Sequence, residues 1–328
     1  MIRWGIVGLG NMANHFANSI KKLDNTQLLG VASKSNLRLN KFNKDYNISK
    51  DFLFNDYNKL IESNAIDAIY ISTLNNTHIG LIHKCIDNKK NILCEKPMGL
   101  NIDEVTSVFD RIKDNNILCY EAIAYCGHPQ TLELLKLINK GEIGKIKRIE
   151  ATFGFKVRKV NKKSRLFNKD LGGGAILDIG CYPISFFNLF NNHNDELKFI
   201  NAKGSHATTG VDDYAEINLI NKENIELFAK VSLKENLENK CTIFGSNGVA
   251  QLSSPWLPQK KSYIEITKDN SYYKKFTNTD KNIYTIQIEN VSKVFNKIDI
   301  SAHNLLIDIN NSVRIMKTLD LWKKSINE

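Results

Sequence analysis

The chain has 328 residues, 42% hydrophobic and 24% charged, the balance of an ordinary soluble globular protein with length enough for two domains. It shows no internal repeat or low-complexity tail, and no run approaches the 18 apolar residues of a membrane-spanning helix. The net charge of +10 is spread along a chain rich in Lys and Asn throughout, so it points to no nucleic-acid partner except where it clusters.

The first residues, MIRWGIVGLG, already read as strand and turn and leave no room for a signal peptide. Strand-like runs at 2–8, 27–33, 65–73 and 90–96 alternate with helical stretches. A helix follows with Asn101 as N-cap and Asp103 and Glu104 in its first turn, then the apolar run 117–125. Short β-branched runs separated by helices predict βαβ units and a doubly wound parallel sheet, complete near residue 123. Beyond it comes a helix over 131–144, then strands predicted at 146–155, 213–220, 225–233, 240–252 and 261–267 with no helices between them. Such a succession forms an antiparallel sheet, and the last 25 residues read as one amphipathic helix. The expected division is an α/β domain over 1–123 and an α+β domain over 124–328. Six cysteines, Cys85, Cys94, Cys119, Cys126, Cys181 and Cys241, lie far apart in apolar company. They read as reduced, buried thiols of a cytoplasmic protein.

Residues 8–13, GLGNMA, follow a predicted strand and open a helix. Gly8 permits the tight turn, Gly10 lets the backbone approach a pyrophosphate, and the small Ala13 lets helix and strand pack closely. Asn11 and Met12 fall in the same dinucleotide-contacting turn. At the end of the second strand an NAD site usually carries an acid, whereas this chain has Ser33 and Lys34. With Arg38 a helical turn later they suit a 2′-phosphate, favouring NADP, with NAD possible.

CEKP, 94–97, ends a buried strand at the carboxyl edge of the sheet, where doubly wound folds bind ligands. A partly desolvated Lys96 could stabilise charge developing on a substrate oxygen; the plainer reading is a strand-end ion pair with Glu95. The Lys96–Pro97 bond is a candidate cis peptide. In GGGAILDIGCYPIS, 172–185, Asp178 and Tyr182 share one face if the segment is helical, with a kink or restart expected at Pro183. They are a proton-handling pair or, alternatively, a helix-surface acid and a core aromatic. A phenol ionises near pH 10, so proton transfer at neutral pH needs a nearby cation, for which Lys96 is the candidate. His128, near Tyr125, is a substrate contact or a structural histidine at a domain junction. The histidines show no ligand spacing, so no metal is expected. The run KVRKVNKKSR, 156–165, holds six cations in ten residues. It reads as a solvated surface or, sharper, as a field that steers a phosphorylated or nucleotide-linked sugar; no recognition motif for nucleic acid accompanies it.

GLGNMA, DAIYIST…N…H, CEKPMGLN, EAIAYCGHPQ and RLFNKDLGGGAILDIGCYPIS occur here in an order that resembles the glucose-fructose oxidoreductase, inositol dehydrogenase and rhizopine catabolism family. The last stretch looks most like its branch of dihydrodiol dehydrogenases and D-xylose dehydrogenases, and the resemblance spans nearly the whole chain. It implies an N-terminal Rossmann domain and a C-terminal α+β domain on a large open, mainly antiparallel sheet. It also implies NAD(P), reversible oxidation of a secondary hydroxyl of a sugar or polyol, and a homodimer or homotetramer formed through that sheet. By position, Lys96 matches the family's active-site lysine, Asp178 its acid and Tyr182 its proton-transfer residue. Thr73, Asn75, His78, Glu95 and Lys96 match cofactor-lining positions; Tyr125, His128 and Arg165 fall on the substrate side. Leu74 replaces a common proline, and Cys126 replaces the branch's usual arginine by a smaller neutral group. Two alternatives stay beside the sugar or polyol dehydrogenase. One is a ketoreductase or dehydrogenase of a phosphorylated or nucleotide-linked sugar in surface polysaccharide biosynthesis; the other, against which the retained Lys96, Asp178 and Tyr182 argue, is a non-catalytic nucleotide-binding regulator. No membrane or nucleic-acid partner is expected.

Overall fold

Strands whose residues are apolar on both faces need cover on both faces, and the run Ala68–Ile71 has all four residues buried. A computed structural model describes residues 1–191 and 197–326, and the chain divides into two compact units. The first unit holds Met1–Ala124 together with Tyr284–Val313; the second holds Tyr125–Ile283 and the chain from Arg314.

In the first unit β1 (Ile2–Val7), β2 (Thr26–Ala32), β3 (Leu53–Phe54), β4 (Ala68–Ile71), β5 (Asn91–Cys94) and β6 (Cys119–Glu121) alternate with α1 (Asn11–Ile20), α2 (Asn36–Tyr46), α3 (Tyr57–Glu62), α4 (His78–Asp87) and α5 (Ile102–Asp114). Asn101 caps α5 as expected, its Oδ1 accepting the Glu104 N–H at 2.9 Å. The second unit contains α6 (Pro129–Asn139), β7 (Ile146–Gly154), a π-helical turn (Ile176–Gly180), α7 (Cys181–Asn188), β8 (Lys198–His206), β9 (Asp212–Ile220), β10 (Glu226–Ser232), β11 (Leu237–Gly245), β12 (Gly248–Ser253), β13 (Lys261–Lys268) and β14 (Ser271–Asn278). Helix α8 (Ile283–Phe295), β15 (Ile307–Asp308) and α9 (Ile309–Ser325) complete the chain.

The sheet of the first unit runs β15-β6-β5-β4-β1-β2-β3, parallel except where β15 pairs antiparallel with β6. Strand order reverses about β1, which lies between β4 and β2; the ligand crevice of such sheets opens at the carboxyl ends of these strands. The sequence pattern places everything after residue 123 in the second domain, and the structure differs for residues 284–313. Helix α8 brings Ile288, Val291, Val294 and Phe295 into the core around Trp4, whose ring meets Phe16 edge-on at 5.2 Å and Phe295 at 5.5 Å. Trp4 Nε1 donates to Ser292 Oγ at 3.2 Å, satisfying the one polar atom of a fully buried indole.

The sheet of the second unit runs β14-β13-β12-β11-β7-β10-β9-β8. Only β7 and β10 are parallel neighbours; the others are antiparallel. The predicted strand 240–252 is two, β11 and β12, divided by a turn at Ser246 and Asn247. β8 and β14 have exposed residues along nearly their whole length, so they lack the alternation that reveals a half-buried strand. All six cysteines are buried free thiols.

Candidate active site

Gly8 ends β1 with φ +90°, and a Cβ there would lie 2.7 Å from Thr73 Cγ2 and 2.8 Å from the Ser72 carbonyl, so only glycine fits. Ser72 Oγ donates to the Gly8 carbonyl at 2.7 Å and fixes the loop against β4. Gly10 is the N-cap of α1 in extended backbone, and a Cβ on it would reach nothing closer than Ser72 O at 4.0 Å. The space beside Gly10 is thus open to a ligand that a side chain would displace. No side chain caps α1 and its first turn holds no acid, leaving N–H donors for an anion. A cleft of about 270 Å³ lies here, lined by Gly10, Asn11, Asn14, Arg38, Lys41 and Asp45 among others. Open backbone donors with two cations fit a dinucleotide. Lys34 is exposed, its ammonium 5.4 Å from the centre of the Tyr57 ring. Ser33 follows the end of β2 as expected and is buried, its Oγ accepting the Ser35 N–H at 3.2 Å across the β2–α2 turn.

The other edge of this crevice is the turn after β5. The Lys96–Pro97 bond is cis, and Lys96 is half-buried. His78, fully buried at the start of α4, contacts the Pro97 carbonyl through Nδ1 at 3.0 Å. Burial holds its imidazole down at about 4 against hydrogen bonds to the Pro97 and Thr73 backbone, so it is neutral at pH 7 and its Nδ1–H donates. Glu95 is buried and accepts a short hydrogen bond from the Tyr70 hydroxyl. Thr73 Oγ1 meets Thr77 Oγ1 at 2.6 Å, and Asn75 is buried in the turn before α4. A second buried acid, Glu121 of β6, went unread in the sequence.

In the second unit the glycine segment is wound tightly. Gly174 has φ +116°, and a Cβ on it would lie 2.2 Å from Asp212 Oδ1. Asp212, buried on β9, accepts the Ile176 N–H through Oδ2 at 2.7 Å and so caps the π-helical turn. The turn gives way to α7 at Cys181, so Pro183, which has no N–H to donate, falls just after the change from π-helical to α-helical winding. Asp178 is 4% exposed and accepts from Arg165 Nη1 at 2.7 Å. That guanidinium, 51% exposed, compensates the buried carboxylate; both residues stood out in the sequence but their pairing did not. Tyr182 is half-buried, its ring facing Phe153 edge-on at 5.5 Å, with Tyr125 at 6.4 Å and Trp256 at 6.5 Å. Phe153 and Trp256 were not singled out in the sequence, since an aromatic near a strand end looks like core.

Two residues expected on the substrate side have structural roles. Tyr125 is fully buried, with its hydroxyl 2.7 Å from Ser185 Oγ and donating to the Tyr182 carbonyl at 3.4 Å. His128 is fully buried and is the N-cap of α6, Nδ1 accepting the Gln130 N–H at 3.1 Å. Burial lowers its imidazole to about 4, so it too is neutral. Cys126 is buried beside them. Among the described residues no group of His, Cys, Asp and Glu is placed to hold a metal ion, and no helix is long and apolar enough to cross a membrane.

A glycine cradle at the switch point of a doubly wound sheet, next to a lysine turn, defines a dinucleotide-dependent oxidoreductase. Residues 2–122 match the profile of the oxidoreductase family with an NAD-binding Rossmann fold, and 131–251 match the GFO/IDH/MocA C-terminal domain. The chain belongs to this oxidoreductase family. It is 31% identical over 260 residues to a trans-1,2-dihydrobenzene-1,2-diol dehydrogenase of Xenopus tropicalis, covering 78% of this chain and 77% of that one. The Mus musculus protein of the same name is 29% identical over 259 residues, 78% and 76% of the two chains. Among solved structures, an aldose-aldose oxidoreductase from Caulobacter crescentus, complexed with glycerol, superposes with a TM-score of 0.89 at 17% identity over 99% of this chain and 97% of that one. A 3-ketoreductase from Actinomadura kijaniata, in complex with NADP and TDP-benzene, gives 0.87 at 20% identity over the same shares. These two establish the shared fold.

Proposed function

We propose that the protein is an NADP-preferring dehydrogenase or ketoreductase acting on a secondary hydroxyl or ketone of a sugar, polyol or related vicinal diol. The observation that carries this reading is the buried Asp178 carboxylate one turn before the half-buried phenol of Tyr182, in a chain of a dinucleotide-dependent family. When bound, the dinucleotide supplies the hydride acceptor in oxidation and the donor in reduction. Tyr182 takes the hydroxyl proton, or returns it to the ketone oxygen in reverse. Lys96 supplies the positive charge that favours the phenolate and polarises the substrate oxygen. Asp178, held by Arg165, orients the substrate hydroxyls. Arg38 and Lys41 in the cleft, with no acid ending β2, support NADP. The exposed cations of residues 156–163 favour a second substrate class, nucleotide-linked ketosugars, as does the TDP-benzene held by the Actinomadura enzyme.

The reading extends to a cytoplasmic location, supported by six buried free thiols. It extends also to a homo-oligomer through the open sheet, supported by exposed Tyr272, Tyr273 and Phe276 on one edge strand and Phe199 and Ile200 on the other. The test is NADPH absorbance with a panel of sugars, polyols, trans-dihydrodiols and nucleotide ketosugars. With a substrate in hand, Tyr182→Phe lowers kcat by about 10²- to 10⁴-fold. Unchanged turnover removes the proton-transfer role, and tight NADPH binding without turnover of any class favours a regulator.

A further inference from the structure

Glu121 is 2% exposed at the end of β6, and in the parallel register it sits opposite Cys94, two residues before Lys96. A carboxyl taken out of water costs several kcal/mol unless its oxygens find donors and its charge a counter-charge. Oε1 accepts the Met98 N–H at 2.9 Å, and Oε2 accepts from Ser312 Oγ at 2.7 Å. The first bond ties the carboxyl to the turn that carries Lys96; the second anchors it to the start of α9. Both donors are neutral, and Lys96 is a cation within electrostatic reach.

We propose that Glu121 is a positioning residue for Lys96: through Met98 it fixes the turn that carries the lysine, and its carboxylate keeps the ammonium charged. The inference rests on Lys96 being the active-site cation. Burial pushes the Glu121 carboxyl up to about 7, with Ser312, the Met98 amide and Lys96 pulling it down and Glu95 pushing it up. The other titratable groups around the pair are Cys94 and Cys119, both raised chiefly by burial, and Tyr284 of α8, which faces Glu95 and Lys96. Glu95 and Lys96 are thus both electrostatic neighbours of Glu121, and Glu95 takes the Tyr70 hydroxyl.

The test reads Lys96 directly. Trace acetylation of the full-length protein across pH 7–11.5, followed by mass spectrometry of the peptide containing Lys96, gives its titration midpoint. In Glu121→Gln, which keeps the size of the side chain and removes its charge, the midpoint falls by about one pH unit or more, a tenfold shift in the ammonium equilibrium. Lys41 on the same protein stays put. Glu121→Asp, which keeps a carboxylate, recovers at least half of the fall, which a merely structural role would not produce. If Glu121→Gln fails to fold, the reciprocal variant serves: in Lys96→Met the infrared band of the protonated Glu121 carboxyl persists about one pH unit higher. An unchanged Lys96 midpoint, or an unchanged Glu121 band where only the second variant folds, overturns the proposal. Failure of the catalytic reading looks different: Lys96→Arg then keeps full turnover, while the acetylation midpoints still shift with Glu121.

Discussion

Each unit has a glycine turn leading into a helix, and the two treat the helix start in opposite ways. At Gly8–Ala13 the first turn of α1 has no acid and no side-chain cap, and the space a Cβ on Gly10 would fill is open. At Gly172–Gly174 the chain supplies its own anion: Asp212 accepts the Ile176 N–H, and its carboxylate fills the space a Cβ on Gly174 would need. One glycine turn is shaped for a guest and the other for a residue 38 positions further along. The same sequence sign therefore signals a ligand site in one place and a folding constraint in the other, and the neighbouring carboxylate decides which.

Substitutions can pull the two turns apart. Gly174→Ala forces an L side chain to φ +116° and into Asp212, and should lower stability by about 3 kcal/mol, read by urea unfolding, with no change in dinucleotide affinity of the folded fraction. If affinity falls instead, the second turn is not purely a folding constraint. Gly10→Val has the opposite profile. Its backbone angles suit a side chain, so the fold holds, while NADPH affinity measured by fluorescence titration drops about 100-fold, roughly 2.7 kcal/mol. Arg38→Ala should weaken NADPH about tenfold and leave NADH within twofold, since only the former carries a 2′-phosphate; equal losses would move that phosphate elsewhere. Asp212→Asn gives the smallest effect. Burial raises the folded value of this carboxyl above its ordinary 3.8, outweighing the Ile176 N–H. The native state then holds the proton more tightly, so the contribution is complete below pH 3.8 and is lost as pH rises through the folded value. The Asn variant should lose less stability than the parent between pH 4 and 7; a steeper loss would mean that the charged carboxylate is the better cap.

The sequence made the first turn legible because every part of it is local: strand, glycines and helix start within twelve residues. Asp178 and Tyr182, four apart beside a proline, were legible for the same reason. What stayed hidden depends on register and on distant chain. The Arg165–Asp178 pair spans a loop broken by a short 3₁₀ turn at Lys169–Leu171, and Asp212 reaches the glycines from β9. Glu121 becomes a neighbour of Lys96 only once β5 and β6 pair. Tyr125 and His128 lie in a motif that looks like a binding segment, yet the Tyr125 hydroxyl is taken by Ser185 and His128 Nδ1 caps the start of α6. The Ser33 contact to Ser35 is likewise invisible in the sequence, because a hydroxyl at a strand end serves a turn as readily as a phosphate.

The return of residues 284–313 to the first unit bears on how the protein is made. Trp4 is made nearly 300 residues before Ser292 and Phe295, which cover it. At about 5–20 residues per second the wait after residue 124 is roughly 10–40 s, during which the nascent nucleotide-binding half has an uncovered aromatic core. The second half can complete its eight-stranded sheet during that interval. The core around Trp4 is therefore closed only after every strand of the second sheet has been made.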